Sequence, residues 1–474
     1  MNSQPKPTLD GASLGSRCEA QRAAFDRDPY PDRATRIRRL AALEALVRTQ
    51  AEPLADAVSR DFGNRSKHET RLLEIFPCLQ ALKHARRHLA HWMRAQRRPV
   101  SLWFQPGRAA LLPQPLGVAG IIVPWNYPIY LAVAPLTAAL AAGNRAMVKL
   151  SELTPATSAL FSRLIREHFA EDEVAIVEGD AAVAADFARL PFDHLLFTGS
   201  TEVGRHVMRA AADRLTPVTL ELGGKSPVIV GPEADLPQAA ERIAVGKTLN
   251  AGQTCIAPDY VLAPHLSLPS LLAGLQKNVT TLYPRIASTP DYTSIINARH
   301  FERLVRYLEE ARTAGARIVN LGGFEPDPRS RRFPPTVILD APQGLPVMRE
   351  EIFGPILPVL GYEGIDEAIR FVNARPRPLA LYVFDRNPAT IQRVLERTVA
   401  GGVTVNDTIL HVAQEELPFG GVGPSGMGQY HGQAGFLTFS KLKPVFRQSR
   451  LNGFRMFMAP YGQRFDTLLR VLLR

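Results

Sequence analysis

The chain has 474 residues, of which 46% are hydrophobic and 21% charged. That is enough for two to four domains or subdomains, and it is too apolar for intrinsic disorder. Basic residues exceed acidic ones by 56 − 45 = 11, but they are scattered without a recognisable nucleic-acid motif, so no nucleic-acid partner is expected. Cys18, Cys78 and Cys255 lie far apart without C-x-x-C spacing, which argues against a disulfide framework or a Cys-rich zinc site and fits a reducing, cytoplasmic setting.

Residues 1–10 are polar and lack the apolar core of a signal peptide. Residues 31–98 read as helices, because Ile37, Leu40, Leu43 and Leu46, and then Leu72, Ile75, Leu79 and Leu82, recur at helical spacing. Pro77 predicts a kink or break in the second run. Residues 99–113 form a proline-bounded segment read as a strand leaving the main body. The uncharged stretch between Arg108 and Arg145 carries Pro113, Pro115, Pro124, Pro128 and Pro135. These breakers predict strand, turn and helix rather than a transmembrane segment.

Strands are expected at 117–123, 145–150, 174–178, 194–197 and 218–222, with helices at 135–142, 154–169 and 201–212. This alternation predicts an α/β fold with a parallel sheet covered by helices. A second series follows: a strand at 228–230, a helix at 236–249, a strand at 260–262, a helix at 298–314 and a strand at 380–384. A domain boundary is placed near Gly223 and Gly224. The C-terminal residues 465–474 are amphipathic and basic, too short and charged to span a membrane, and are read as a docked helix.

Several segments carry chemistry. Cys255 follows a predicted helix in a loop, where a thiol can become a nucleophile if its pKa is lowered. Glu221 ends a strand before Gly223-Gly224 and suits a general base. Asn126 lies in the proline-restricted turn Pro124-Trp125-Asn126-Tyr127-Pro128, and its amide can donate to an oxyanion. Gly199 and Ser200 join a strand to a helix N-terminus, a place suited to phosphate. Lys149 and Glu152 sit at a carboxyl-terminal strand edge, within reach of a ribose. Taken singly, each has a plain structural reading: an inert cysteine, a solvated glutamate, a turn-capping asparagine, a surface pair.

Together these residues resemble the aldehyde dehydrogenase superfamily over nearly the whole chain. The resemblance rests on Pro124-Trp125-Asn126, Lys149 with Glu152, Phe197-Thr198-Gly199-Ser200, Glu221-Leu222-Gly223-Gly224-Lys225, Gly252-Gln253-Thr254-Cys255 and Glu351-Ile352-Phe353-Gly354-Pro355. Pro418-Phe419-Gly420-Gly421-Val422-Gly423 is similar to the class 3 branch. Within it, Thr404-Val405-Asn406-Asp407, His411-Val412-Ala413-Gln414 and Tyr430-His431-Gly432 resemble bacterial coniferyl-aldehyde dehydrogenases.

The resemblance implies a Rossmann-like NAD-binding domain (1–98 and 115–223), a catalytic α/β domain (224–415), a small β oligomerisation arm (99–114 and 416–440) and a tail (441–474). It implies oxidation of an aldehyde to an acid with NAD, NADP being possible, by a homodimer. Cys255 would be the nucleophile, Asn126 the oxyanion donor and Glu221 the base that activates water. Lys149, Glu152, Gly199, Ser200, Trp125, Glu351 and Phe353 would surround the cofactor, with no metal. An aromatic aldehyde is the expected substrate, and a medium- or long-chain fatty aldehyde or benzaldehyde the alternative. A nicotinamide-free thiol acyltransferase or a non-catalytic binding protein is disfavoured by the ribose motifs and by the intact Cys255, Glu221 and Asn126.

Overall fold

The computed structural model describes residues 13–473, so the reading of residues 1–10, and residue 474 of the C-terminal segment, lie outside the described residues. A helix over Leu14–Arg27 opens the chain, with Ser13 as its N-cap. Its buried face is Cys18, Gln21 and Ala24. So small and polar a face leaves no apolar periodicity to read. Gln21 instead anchors it by donating to the carbonyls of Ala146 and Glu171 at 2.9 and 3.0 Å.

Helices follow over Arg33–Thr49, Ala51–Phe62 and Phe76–Trp92. The break expected at Pro77 is a single π-helical turn, Arg71–Ile75, after which Pro77 occupies the first turn of the new helix. Proline is tolerated there because that N–H has no intrahelical partner.

Strands β1 (Gln96–Arg98) and β2 (Arg108–Pro115) leave the body as an antiparallel pair. The first large sheet is then built from β3 (Val118–Ile122), β4 (Arg145–Lys149), β5 (Val174–Val177), β6 (His194–Thr198) and β7 (Val218–Glu221). They are parallel, in the order β7-β6-β3-β4-β5. Helices Pro155–His168 and Thr201–Ala212 lie close to their expected spans.

The helix expected at 135–142 begins earlier and covers Tyr130–Ala142, with Pro135 in its interior and every residue buried. It is apolar on all sides, so periodicity carried no information about its start. Gly143 ends it at φ +96°, where a Cβ would lie 2.8 Å from the Arg36 guanidinium carbon. That guanidinium donates to the otherwise unpartnered carbonyls of Ala141 and Ala142 at 3.1 and 2.7 Å.

The chain crosses to a second sheet between Glu221 and Pro227. Its strands are β8 (Pro227–Val230), β9 (Tyr260–Pro264), β10 (Arg317–Asn320), β11 (Thr336–Leu339), β12 (Ile356–Tyr362), β13 (Ala380–Phe384) and β14 (Gly402–Val405). The order is β10-β11-β12-β9-β8-β13-β14, parallel except at β10. The chain then returns to the first sheet, where β15 (Gly426–Met427) pairs antiparallel with β7.

The arm differs from expectation. The strand that pairs with β2 is β16 (Ser440–Arg447), all but Ser440 inside the segment read as tail, and the register runs from Ser440↔Pro115 to Arg447↔Arg108. Residues 416–440 instead supply β15 and a helix over Gly432–Thr438. Lys441, Lys443 and Pro444 hid this strand, because a solvated ladder needs no apolar run. The C-terminal helix, Gln463–Leu472, has no buried residue, so it is not docked in the way the sequence suggested. Among the described residues no helix is long and apolar enough to cross a membrane.

Candidate active site

The carboxyl-terminal ends of the first sheet face the second across a cavity of about 220 Å³. Trp125, Asn126, Gly199, Ser200, Glu221, Cys255, Glu351 and Phe353 all line it. Lys149 and Glu152 line an adjoining groove of about 930 Å³, which shares Trp125, Gly199, Ser200 and His300 with the cavity. Residues read from scattered segments thus converge on one continuous space. His300 and Arg303 also line the cavity. Sequence reading missed them, since both lie on a helix whose signal was its apolar face.

The loop carrying Cys255 is unusual backbone. Asn250, Ala251 and Gly252 take φ of +51°, +51° and +71° in succession. Left-handed residues other than glycine need support from their surroundings, and here it is dense. Glu69 accepts the Asn250 N–H. The Gln253 amide donates to the Asn250 and Ser294 carbonyls at 2.9 and 3.1 Å and accepts from the Ile296 N–H at 3.0 Å. At Gly252 a Cβ would sit 2.4 Å from the Gly354 carbonyl oxygen, so only glycine lets this loop press against the one carrying Glu351 and Phe353.

Asn126 is buried, and its amide donates to the Gln253 carbonyl at 3.2 Å. A carboxamide has two N–H donors, so one remains for a ligand in the cavity that Cys255 also lines. The Asn126 carbonyl accepts from Arg65 at 3.0 Å and from Asn250 at 3.1 Å. Arg65 also pairs with Glu74 at 3.0 Å, both side chains fully buried, and its guanidinium lies over the Tyr127 ring at 4.7 Å. Glu74 accepts the N–H groups of Ile129 and Tyr130 at 2.8 and 3.2 Å. Three charged residues of the helical N-terminal region, Arg65, Glu69 and Glu74, therefore fix the two loops of the site. Nothing in the spacing of charges there distinguished them from a solvated face.

Lys225 performs the same service on the other side. Its ammonium donates to Asp259 at 2.5 Å and to the Val347 and Glu350 carbonyls at 2.9 Å each. Asp259 accepts the Ile352 N–H at 3.1 Å. The loop of Glu351 and Phe353 is thereby tied to the Cys255 segment. Phe353 packs edge-on against Trp125 with ring centroids 5.3 Å apart.

The electrostatics follow from burial. Both carboxylate oxygens of Glu221 are buried without a hydrogen-bond partner, and desolvation pushes its carboxyl well above the usual range. Glu351 is pushed up to about 8, first by burial and then by Asp259, against the opposing pull of the Gly224 N–H, Lys225 and Arg303. One of its oxygens is also buried and unpartnered. The Cys255 thiol is partly open to the cavity it lines. Burial, then Glu351 and Glu221, push it up to about 12, while the N–H groups of Cys255 and Ile256 pull down. Burial and the two nearby carboxylates thus favour the thiol over the thiolate.

Glu69 is pushed up to about 7, first by burial, with Arg65, the Asn250 N–H and Thr293 opposing. Its folded value lies above that of an unfolded glutamate. The folded chain therefore binds the extra proton, and stability present at low pH is lost as pH rises through that window. Thermal midpoints should fall less steeply between about pH 5 and 7 in Glu69→Gln than in the parent. Equal slopes would show that Glu69 is ionised throughout.

The groove has a divided lining. Lys149 is buried, donates to the Leu150 carbonyl at 2.7 Å and lies 3.9 Å from Glu152, whose side chain is 46% exposed. The Ser200 hydroxyl accepts the Val203 N–H at 3.3 Å and caps the helix Thr201–Ala212, so it is already engaged.

The profile of the aldehyde dehydrogenase family matches residues 9–445. The chain belongs to that family. It is 53% identical over 449 residues to a Pseudomonas aeruginosa protein named "probable coniferyl aldehyde dehydrogenase", covering 95% of this chain and 94% of the relative. Among solved structures, a substrate-bound state of Staphylococcus aureus AldH superposes with a TM-score of 0.93 at 38% identity, over 97% of this chain and 100% of that one. A mutant of the indole-3-acetaldehyde dehydrogenase AldA of P. syringae, in complex with NAD⁺ and IAA, gives a TM-score of 0.83 at 25% identity, over 91% and 88%. The two sheets and the arm are those of the aldehyde dehydrogenase fold, and this aldehyde dehydrogenase acts on a small-molecule aldehyde.

Proposed function

We propose that the chain oxidises an aromatic aldehyde of the coniferyl type to its acid with NAD⁺, through a covalent intermediate on Cys255. The supporting observation is the meeting in one cavity of the Cys255 sulfur, the spare N–H of Asn126 and the partnerless carboxyl of Glu221. The 53% identical relative named for coniferyl aldehyde supports the substrate class.

The residues present suit a nicotinamide dinucleotide. Lys149 and Glu152 would meet the adenosine ribose in the groove, and the backbone at Gly199 and Ser200 the pyrophosphate. The orphaned oxygen of Glu351 is an acceptor for a ribose hydroxyl. The half-exposed Glu152 carboxylate repels a 2′-phosphate, which favours NAD⁺ over NADP⁺. When bound, the cofactor supplies the hydride acceptor.

The chain's own residues then act in order. The Cys255 thiol loses its proton to solvent through the cavity it partly faces, and its sulfur attacks the carbonyl carbon. Asn126 and the Cys255 N–H hold the resulting oxyanion. After oxidation the acyl group is a thioester on Cys255. Glu221, raised by burial, accepts a proton from water, which attacks the thioester and releases the acid.

Asn126→Ala should lower kcat by about 10²–10³. A kcat within about twofold of the parent would remove Asn126 from oxyanion stabilisation. For substrate class, kcat/KM with coniferaldehyde and cinnamaldehyde should exceed that with decanal, each with NAD⁺ and NADP⁺. A preference for decanal would support the fatty-aldehyde reading.

We also propose a homodimer in the cytoplasm. β14 and β16 are the outermost strands of their sheets, and exposed Leu102, Trp103, Phe104 and Phe446 crowd the arm. Unpaired edges with apolar neighbours call for a partner. Light scattering on the eluting protein should give twice the 52.1 kDa chain mass, and a single-chain mass would refute the dimer. Three free cysteines, one of them required as a thiol, fit a reducing compartment.

A further inference from the structure

Away from the catalytic cavity, the helix Phe76–Trp92 presents His84 and His88 one turn apart. Their ring centroids are 4.2 Å apart. Glu416, on the loop between the short helix Leu410–Ala413 and β15, reaches toward them. One ligand atom from each of the three residues falls within 4.8 Å of the others.

We propose that His84, His88 and Glu416 form a binding site for a divalent transition cation of the Zn²⁺ type. The first reason is the contact between His84 and Glu416. His84 Nε2 lies 3.2 Å from Glu416 Oε1. Yet that nitrogen is buried and makes no hydrogen bond. Two Lewis bases this close, not aimed at one another, are spaced as ligands of a tetrahedral ion are. Metal–ligand bonds of about 2.0–2.1 Å put such atoms about 3.3 Å apart.

The second reason is the tautomer of His88. Its Nδ1 lies 3.0 Å from the His84 carbonyl oxygen. An Nδ1–H donating to a backbone carbonyl leaves the Nε2 lone pair free, which is the arrangement that orients metal-ligating histidines.

Two imidazoles and one carboxylate suit zinc, nickel or cobalt better than calcium or magnesium, which prefer oxygen. Three protein ligands leave a fourth position for water. The cation would clamp the helix Phe76–Trp92 to the loop of Glu416. That loop runs into Phe419, whose ring lies between His411 and His431 at 6.0 and 5.3 Å.

The test is calorimetric titration of the full, tag-free chain with Zn²⁺, its Cys255 alkylated so that the catalytic thiol takes no metal. One cation per chain at roughly micromolar affinity is expected. His88→Ala and Glu416→Gln should each weaken it at least about tenfold. The Glu416 side chain is 73% exposed, so Glu416→Gln leaves the fold intact. With Co²⁺ the alkylated protein should show the ligand-field bands of a four-coordinate nitrogen–oxygen site without thiolate charge transfer. Absence of binding, or binding undiminished in both variants, overturns the site.

Discussion

Cys255→Ala is expected to reduce dehydrogenase turnover by more than about 10⁴, the scale seen when a catalytic nucleophile is removed, while NAD⁺ binding persists. No other described cysteine offers a substitute. Cys18 and Cys78 are buried, and burial raises both thiols. Neither lines the cavity. The groove that would take the dinucleotide is lined by Lys149, Glu152 and the backbone around Ser200, none of which the substitution touches. Intrinsic fluorescence, through Trp125 at the mouth of the cavity, should therefore still report NAD⁺ binding. Residual oxidation within about tenfold of the parent would remove Cys255 from the nucleophile's role.

Glu221→Gln is expected to separate the two halves of the reaction. Glutamine keeps the volume and a polar tip but cannot take a proton from water at neutral pH. Glu221 has no hydrogen-bond partner in the fold and is buried, so its loss leaves no other group unsatisfied. Mixing the variant with aldehyde and NAD⁺ should give a burst of about one NADH per active site. The steady state that follows should be slower by about 10²–10⁴, the usual contribution of a general base. A parent-like steady state would place the water-activating base elsewhere. Glu351, pushed up to about 8 and lining the same cavity, would then be the next residue to replace.

The two parallel sheets were legible because their strands are buried on both faces, and β-branched runs such as Val118–Ile122 announce themselves. The helix Leu14–Arg27 was not, since what it buries is small or polar. Nor was β16, whose alternating lysines belong to a strand that stays solvated. The residues around the cavity were legible as motifs. Their supports were not: Arg65, Glu69 and Glu74 look like ordinary helix-surface charges until the fold buries them against Asn126 and Asn250. Pairing across such sequence distances leaves no local trace. Lys225 was visible within its motif, but its task of holding the Glu351 loop through Asp259 needs the neighbouring strand to be in place.

The arm shows the same limit in another form. Pro113 and Pro115 were read as punctuation, yet both stand within β2, paired with Leu442 and Ser440. β1 covers β2 only at Ala109–Leu111, so the stretch holding Pro113 and Pro115 is paired with β16 on one side alone and tolerates prolines that a strand paired on both sides would not.

In the proposed mechanism Cys255 carries the acyl group. Acid-quenched Glu221→Gln, taken during the stalled phase after mixing with coniferaldehyde and NAD⁺, can be digested and its peptides weighed. An acyl adduct on the peptide containing Cys255, released by hydroxylamine, is expected. An unmodified Cys255 peptide alongside a full burst of NADH, or the adduct on any other residue, would contradict it.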